Sequence, residues 1–132
     1  MIVIDILKIE RICDISPQVK AIERYATASV VKFTGEIGLE EITSIVRVLG
    51  IYRDHLRQDI VLDLGEVTRI DAATLTMLVH IMDRIKQKQK DLSMANCNVL
   101  IREYVKIGKL ESVVHIYRTA EAALNKVKKK SA

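Results

Sequence analysis

Three histidines, two cysteines and seventeen acidic residues are the groups in this 132-residue chain that could do chemistry. His55, His80 and His115 lie far apart and on different expected elements, and none has a second ligand at helical i+4 spacing. Cys13 and Cys97 form no Cys-x-x-Cys pair. Cys97 ends an apolar run and reads as a small core residue. There is no Gly-x-Ser-x-Gly elbow, and Gly35, Gly38, Gly50, Gly65 and Gly108 are spaced too widely for a phosphate loop. We therefore expect no catalytic residue, no metal and no cofactor. One acid stands out for its position. Asp71 follows the apolar run Ile60-Val61-Leu62-Asp63-Leu64 and precedes a helical pattern, where its carboxylate would accept the free amide hydrogens of a first turn.

The elements that must position Asp71 follow from hydrophobic spacing. Residues 18–24 and 28–35 read as two strands, the second rich in β-branched residues and closed by Gly35. Residues 39–56 read as a helix with Glu40 and Glu41 in its first turn and Gly50 as a weak point. Residues 60–65 read as a central strand, followed by a short loop. Residues 72–90 carry Leu75, Leu78, Met82 and Ile85 on one face and Thr76, His80, Asp83 and Gln87 on the other. A strand at 92–97 follows. Asn98 then caps a helix carried by Val99, Leu100, Ile101, Tyr104, Val105 and Ile107, with Gly108 as its left-handed stop. A strand over 113–116 and a helix capped by Thr119 complete the chain. Right-handed crossovers make this a single α/β domain, its sheet mixed and mostly parallel, with an N-terminal hairpin and about four helices.

Residues 1–16 form an N-terminal extension that fits a strand through Ile2, Ile4 and Ile6 or a helix through Ile2, Ile6, Ile9 and Cys13. Such a segment either packs back on the domain or pairs with a second copy to make a homodimer. The domain proper is expected over 17–128, and 129–132 form a basic tail. Net charge is +4, and Lys126, Lys128, Lys129 and Lys130 account for all of it. The cluster reads as a solvated helix end and tail; the lack of a groove-binding motif, with aromatics at only 4 % to stack on bases, argues against nucleic acid as a partner. No segment is long and apolar enough to span a membrane, and no signal peptide is evident, so a cytoplasmic, reduced protein is expected.

Four stretches resemble STAS domains, the sulphate transporter and anti-sigma factor antagonist family. Val31-Lys32-Phe33-Thr34-Gly35-Glu36-Ile37 resembles the family's second strand and its turn. Ile60 to Leu64 with Val67-Thr68-Arg69-Ile70-Asp71 resembles its central strand and switch loop. Asp91 to Cys97 resembles its fourth strand. Val105 to Leu110, Val114 to Tyr117 and Glu121 to Leu124 resemble its closing elements. The likeness covers about residues 18–128. It implies a STAS-like fold and a protein-binding module with no chemistry of its own. It also implies a contact surface at the start of helix 72–90 and the loop before it, with Asp71, Ala72 and Thr74; helical spacing adds Met77 and Ile81, four apart on a flank of the apolar stripe. In the family a serine directly after the aspartate, in a run Asp-Ser-Ser-Gly-Leu, is phosphorylated by the partner kinase. Here the run is Asp71-Ala72-Ala73-Thr74-Leu75, so the usual phosphoacceptor is absent and Thr74 and Thr76 are the neighbouring hydroxyls. The resemblance leaves two partners open: an anti-sigma factor that is also a serine kinase, or an ABC-type lipid transport complex of which this would be a cytoplasmic subunit. A small enzyme or nucleotide-binding protein is the remaining alternative.

Overall fold

The computed structural model describes residues 5–7, 16–56 and 58–131. Six strands form one sheet in sequential order: β1 (Asp5–Leu7), β2 (Val19–Arg24), β3 (Ala28–Ile37), β4 (Asp59–Ile70), β5 (Leu92–Ala95) and β6 (His115–Tyr117). β1, β2 and β3 pair antiparallel, and β3 to β6 pair parallel. Among the described residues the helices are α1 (Leu39–Ile51), α2 (Ala72–Ile85), α3 (Val99–Ile107) and α4 (Ala120–Ser131), with 3₁₀ turns at Arg53–Leu56 and Leu110–Ser112. This is the expected α/β architecture with an N-terminal hairpin.

Alternation along the strands builds two apolar layers. Val31, Phe33, Ile60, Leu62, Leu92 and Met94 point to one face, where α1, α2 and α3 bury Ile45, Leu49, Leu75, Leu78, Met82, Ile101 and Val105. Ala28, Val30, Val61 and Ala95 point to the other, which α4 covers with Ala123 and Leu124. A fully buried Leu or Met side chain contributes roughly 1.5–3 kcal/mol, so the first layer dominates stability.

The strand–loop boundary in the middle of the chain differs from expectation. No loop follows residue 65, because β4 runs on to Ile70 and pairs with β3 through Ile37. Beyond Asp63, β4 has left β5 and has only β3 beside it. Two register shifts each place one extra residue in β4, between Asp63 and Glu66 and between Val67 and Arg69. Such bulges break period-two alternation. Leu64, Val67 and Ile70 therefore point inward at every third position, a spacing that does not read as a strand. Gly35, expected to close β3, instead lies within it at φ +76, a conformation open to glycine, beside the second bulge.

Other boundaries also shift. α2 ends at Ile85 rather than residue 90, since Lys86 to Lys90 offer no apolar side chain to bury, and Gln89 turns to φ 71. α1 ends at Ile51, and the 3₁₀ turn that follows tucks Leu56 inside. β5 stops at Ala95, where Asn96 takes φ 58, and β6 begins at His115 rather than residue 113. Gly108 is not the left-handed stop: its φ is −79, and Lys109 carries the positive φ of 54. Gly108 answers a different need. A Cβ there would lie 3.0 Å from Thr76 Oγ1 of α2, so glycine permits the close approach of α3. Within the N-terminal extension, residues 5–7 form a strand on β2, and the remaining residues before Ser16 lie outside the described ones. Backbone helix continues through the segment expected as a basic tail, to Ser131.

Gly50 sits in the last turns of α1 with an ordinary helical φ, and a Cβ at this position would meet no atom within 4 Å. Gly50→Ala is expected to raise unfolding stability by about 0.5–1 kcal/mol, read as a higher urea midpoint with an unchanged m-value.

Candidate functional site

The long β4 delivers the chain to Asp71 at the end of the sheet, and α2 starts there. Asp71 is extended (φ −91, ψ 169), and its Oδ1 accepts the Thr74 backbone N–H at 2.7 Å. That bond lowers the carboxyl pKa below its ordinary value, with the charge of Arg69 helping. Asn98 caps α3 in the same way, with Oδ1 accepting from the Ile101 N–H at 2.8 Å. Thr119 Oγ1 caps α4, accepting from the Ala122 N–H at 3.0 Å. All three caps are the ones read from the sequence.

The expected surface residues separate into two groups. Asp71 and Met77 are exposed, Met77 by 43 % despite its apolar side chain, while Ala72 and Ile81 are half-buried. Ile81 leans on the first core layer. Thr74 belongs to neither a solvent-facing cap nor a contact surface. It is completely buried, and its hydroxyl is close enough to Asp71 to help lower that carboxyl while meeting full hydrogen-bond geometry with no described residue. Asp71's cap draws the third helical residue inward, toward the layer that Leu75 and Leu78 fill. Thr76 is half-buried, and its Oγ1 donates to the Ala72 carbonyl at 2.9 Å.

Two concavities flank the start of α2. One, of about 230 Å³, lies between Arg69, Ile70 and Asp71 on one side and Leu100, Ile101 and Tyr104 of α3 on the other. The second, of about 440 Å³, runs along α2 beside Ala73, Thr76, Met77, His80, Ile81 and Arg84. Val99, Leu100 and Ile107, three of the apolar residues on which the sequence rests this helix, are 66 %, 56 % and 72 % exposed. α3 buries only Ile101 and Val105, so its six apolar residues exceed what one face can hide. That excess in a nine-residue helix was the available signal for an apolar surface beside Asp71.

Among the described side chains, the groups considered for chemistry do not converge; Cys13 lies outside the described residues. His80 and His115 are exposed on separate elements, and no cluster of three metal-ligating side chains occurs among the described residues. Cys97 is half-buried against the core, and burial pushes its thiol up to about 11, which keeps it protonated.

A family model described as STAS domain matches residues 11–123. None of the curated proteins matches in sequence. Among solved structures, an anti-sigma factor antagonist from Mycobacterium paratuberculosis aligns with a TM-score of 0.70 and 20 % identity, covering 81 % of this chain and 91 % of that one. The anti-sigma factor antagonist SpoIIAA in its unphosphorylated form aligns at 0.60 and 12 % identity, over 82 % and 95 % of the two chains. The phosphorylated form of SpoIIAA, a Bacillus cell fate determinant, aligns at 0.57 and 13 % identity, over 80 % and 96 %.

Replacing the cap tests the local account. Because the Asp71 carboxyl is lowered in the folded protein, its contribution is present above the unfolded value of 3.8 and is lost as pH falls through the lower folded value. Asp71→Ala is expected to lower the melting temperature at pH 7. The gap from the parent should close as pH falls below 3.8, as measured by circular dichroism melts across pH.

Proposed function

From the premise that the chain belongs to the STAS domain family, we propose that it is a non-catalytic docking module. Its partner is a regulatory protein of the anti-sigma factor kind, held by the ridge over residues 68–82. The observation that carries this reading is the exposed Met77 on a helix whose start is fixed by the Asp71 cap and rimmed by Leu100. Asp71 and Ala72 form the edge of the contact, and Met77 with Ile81 form its apolar anchor. Met adapts its shape at low cost, which suits such an anchor. Exposed Asp71 adds a charge at the rim, where complementarity steers encounter more than it adds affinity. Thr74 shapes the site from within rather than touching the partner. Docking of this kind belongs to the cytoplasm, and no described helix is long and apolar enough to cross a membrane.

The module is constitutive. A phosphate adds about −1.5 to −2 charges and strong acceptor oxygens, which within a packed interface beside a carboxylate would repel the partner. SpoIIAA exists in a phosphorylated and an unphosphorylated form. In this chain the residue after the cap aspartate is Ala72, which has no hydroxyl. The Thr74 hydroxyl is buried, and the Thr76 hydroxyl is engaged with the helix backbone. A kinase reaches Thr74 only by opening the first turn of α2, and Thr76, half-buried beside the α2 groove, must give up its bond to the Ala72 carbonyl.

Two outcomes follow. Met77→Asp is expected to abolish capture of the partner from the organism's own cytosolic extract while changing the melting temperature little, because Met77 is already exposed. Undiminished capture by the variant would sink the reading. Mass spectrometry of protein incubated with ATP and its captured partner is expected to find no phosphate at Thr74 or Thr76. Stoichiometric phosphate at either would restore a switch.

A further inference from the structure

β5 and β6 are parallel neighbours, paired through Ala95 and Tyr117, and the Asn96 N–H donates to the Arg118 carbonyl just beyond. From there the chain parts. After β5 it turns into α3, which buries Ile101 and Val105 in the larger apolar layer. After β6 it turns into α4, which buries Ala123 and Leu124 in the opposite layer. In open α/β sheets ligands bind in crevices outside the carboxyl ends of the strands; the strand order here does not reverse, and the crevice arises because α4, after the last strand, packs on the face opposite α3. This sheet has a crevice there, of about 650 Å³, lined by Cys97, Arg102, Ile116, Tyr117 and Arg118. Its size falls within the range of small-molecule sites.

The chemistry of the lining is cationic. Arg102 and Arg118 are both exposed, and neither forms an ion pair among the described residues. Asp63, an acid whose charge reaches Cys97, already uses Oδ1 to accept from the Gly65 N–H and from Asn96 Nδ2, each at 3.0 Å. The Cys97 thiol stays neutral and supplies no competing negative charge. Ile116 and half-buried Tyr117 add an organic wall.

The geometry points to a binding site for a small phosphorylated organic molecule, its phosphate between Arg102 and Arg118 and its body against Ile116 and Tyr117. Guanidinium forks match phosphate oxygens in pairs, which distinguishes this pair from lysines scattered over the surface. The site lies on the Cys97–Arg102 flank of α3, while Leu100 and Tyr104 face the α2 groove from the other flank. It does not depend on the docking role of α2.

Titration of the full chain with inorganic pyrophosphate at low salt, followed by calorimetry and by amide shifts in ¹⁵N spectra, tests the assignment. One equivalent is expected to bind, with the largest shifts at Cys97, Tyr117 and Arg118. Arg102→Gln and Arg118→Gln should each weaken binding about tenfold or more, while Arg84→Gln, at an exposed arginine on α2, leaves it unchanged. Far-ultraviolet circular dichroism checks that each variant folds. Absence of saturable binding at millimolar pyrophosphate would overturn the site, as would equal weakening by Arg84→Gln.

Discussion

The parallel pairing of β3 with β4 is the constraint on which the other elements depend. It runs from Ala28 beside Asp59 to Ile37 beside Ile70, longer than any other pairing in the sheet. Its first half is buried between helices and anchors both apolar layers. Its second half projects past β5 as a two-stranded ladder, twice bulged, and ends one residue before the Asp71 cap. A strand can project this way only if its inward side chains still reach apolar cover. The two bulges supply that by bringing Leu64, Val67 and Ile70 to the same side. Lys20 adds an exposed ion pair to Glu66 at 2.7 Å on this ladder, worth roughly 0–1 kcal/mol, so packing rather than charge holds it.

From this ladder the surface follows. Asp71 fixes where α2 begins, and the cap fixes the rotation of the helix. That rotation puts Leu75, Leu78 and Met82 inside with Thr74, and Met77 outside. Gly108 lets α3 close in on Thr76, which brings apolar α3 residues to the flank of α2. The same rotation that exposes Met77 withdraws the Thr74 hydroxyl. The proposed docking face and the proposed absence of a switch would both trace to one helix placement and to the alanine at position 72.

Much of this was legible in the sequence because it is written in local signals. Asp71, Asn98 and Thr119 each precede an amphipathic run, and each caps the helix it was assigned. The order of elements and the parallel sheet follow from their alternation. What was not legible depends on pairing between distant residues. The bulged half of β4 repeats its buried residues every three positions, so it looked like a loop. Gly108 looked like a helix stop because its packing partner, Thr76, is 32 residues away. Thr74 looked solvent-facing because its position relative to the core is set by α2's rotation. The Arg102–Arg118 crevice has no sequence motif, since only the topology of β5 and β6 brings those residues together.

The central claim is that the partner sits on the ridge built by the end of β4 and the start of α2. Hydrogen–deuterium exchange of the full chain, alone and saturated with its captured partner, tests it most directly. Slowed exchange confined to residues 68–82 and the adjoining start of α3 is the expected result. Protection centred on α4 or on the β1–β2 edge, with 68–82 unchanged, would contradict the account.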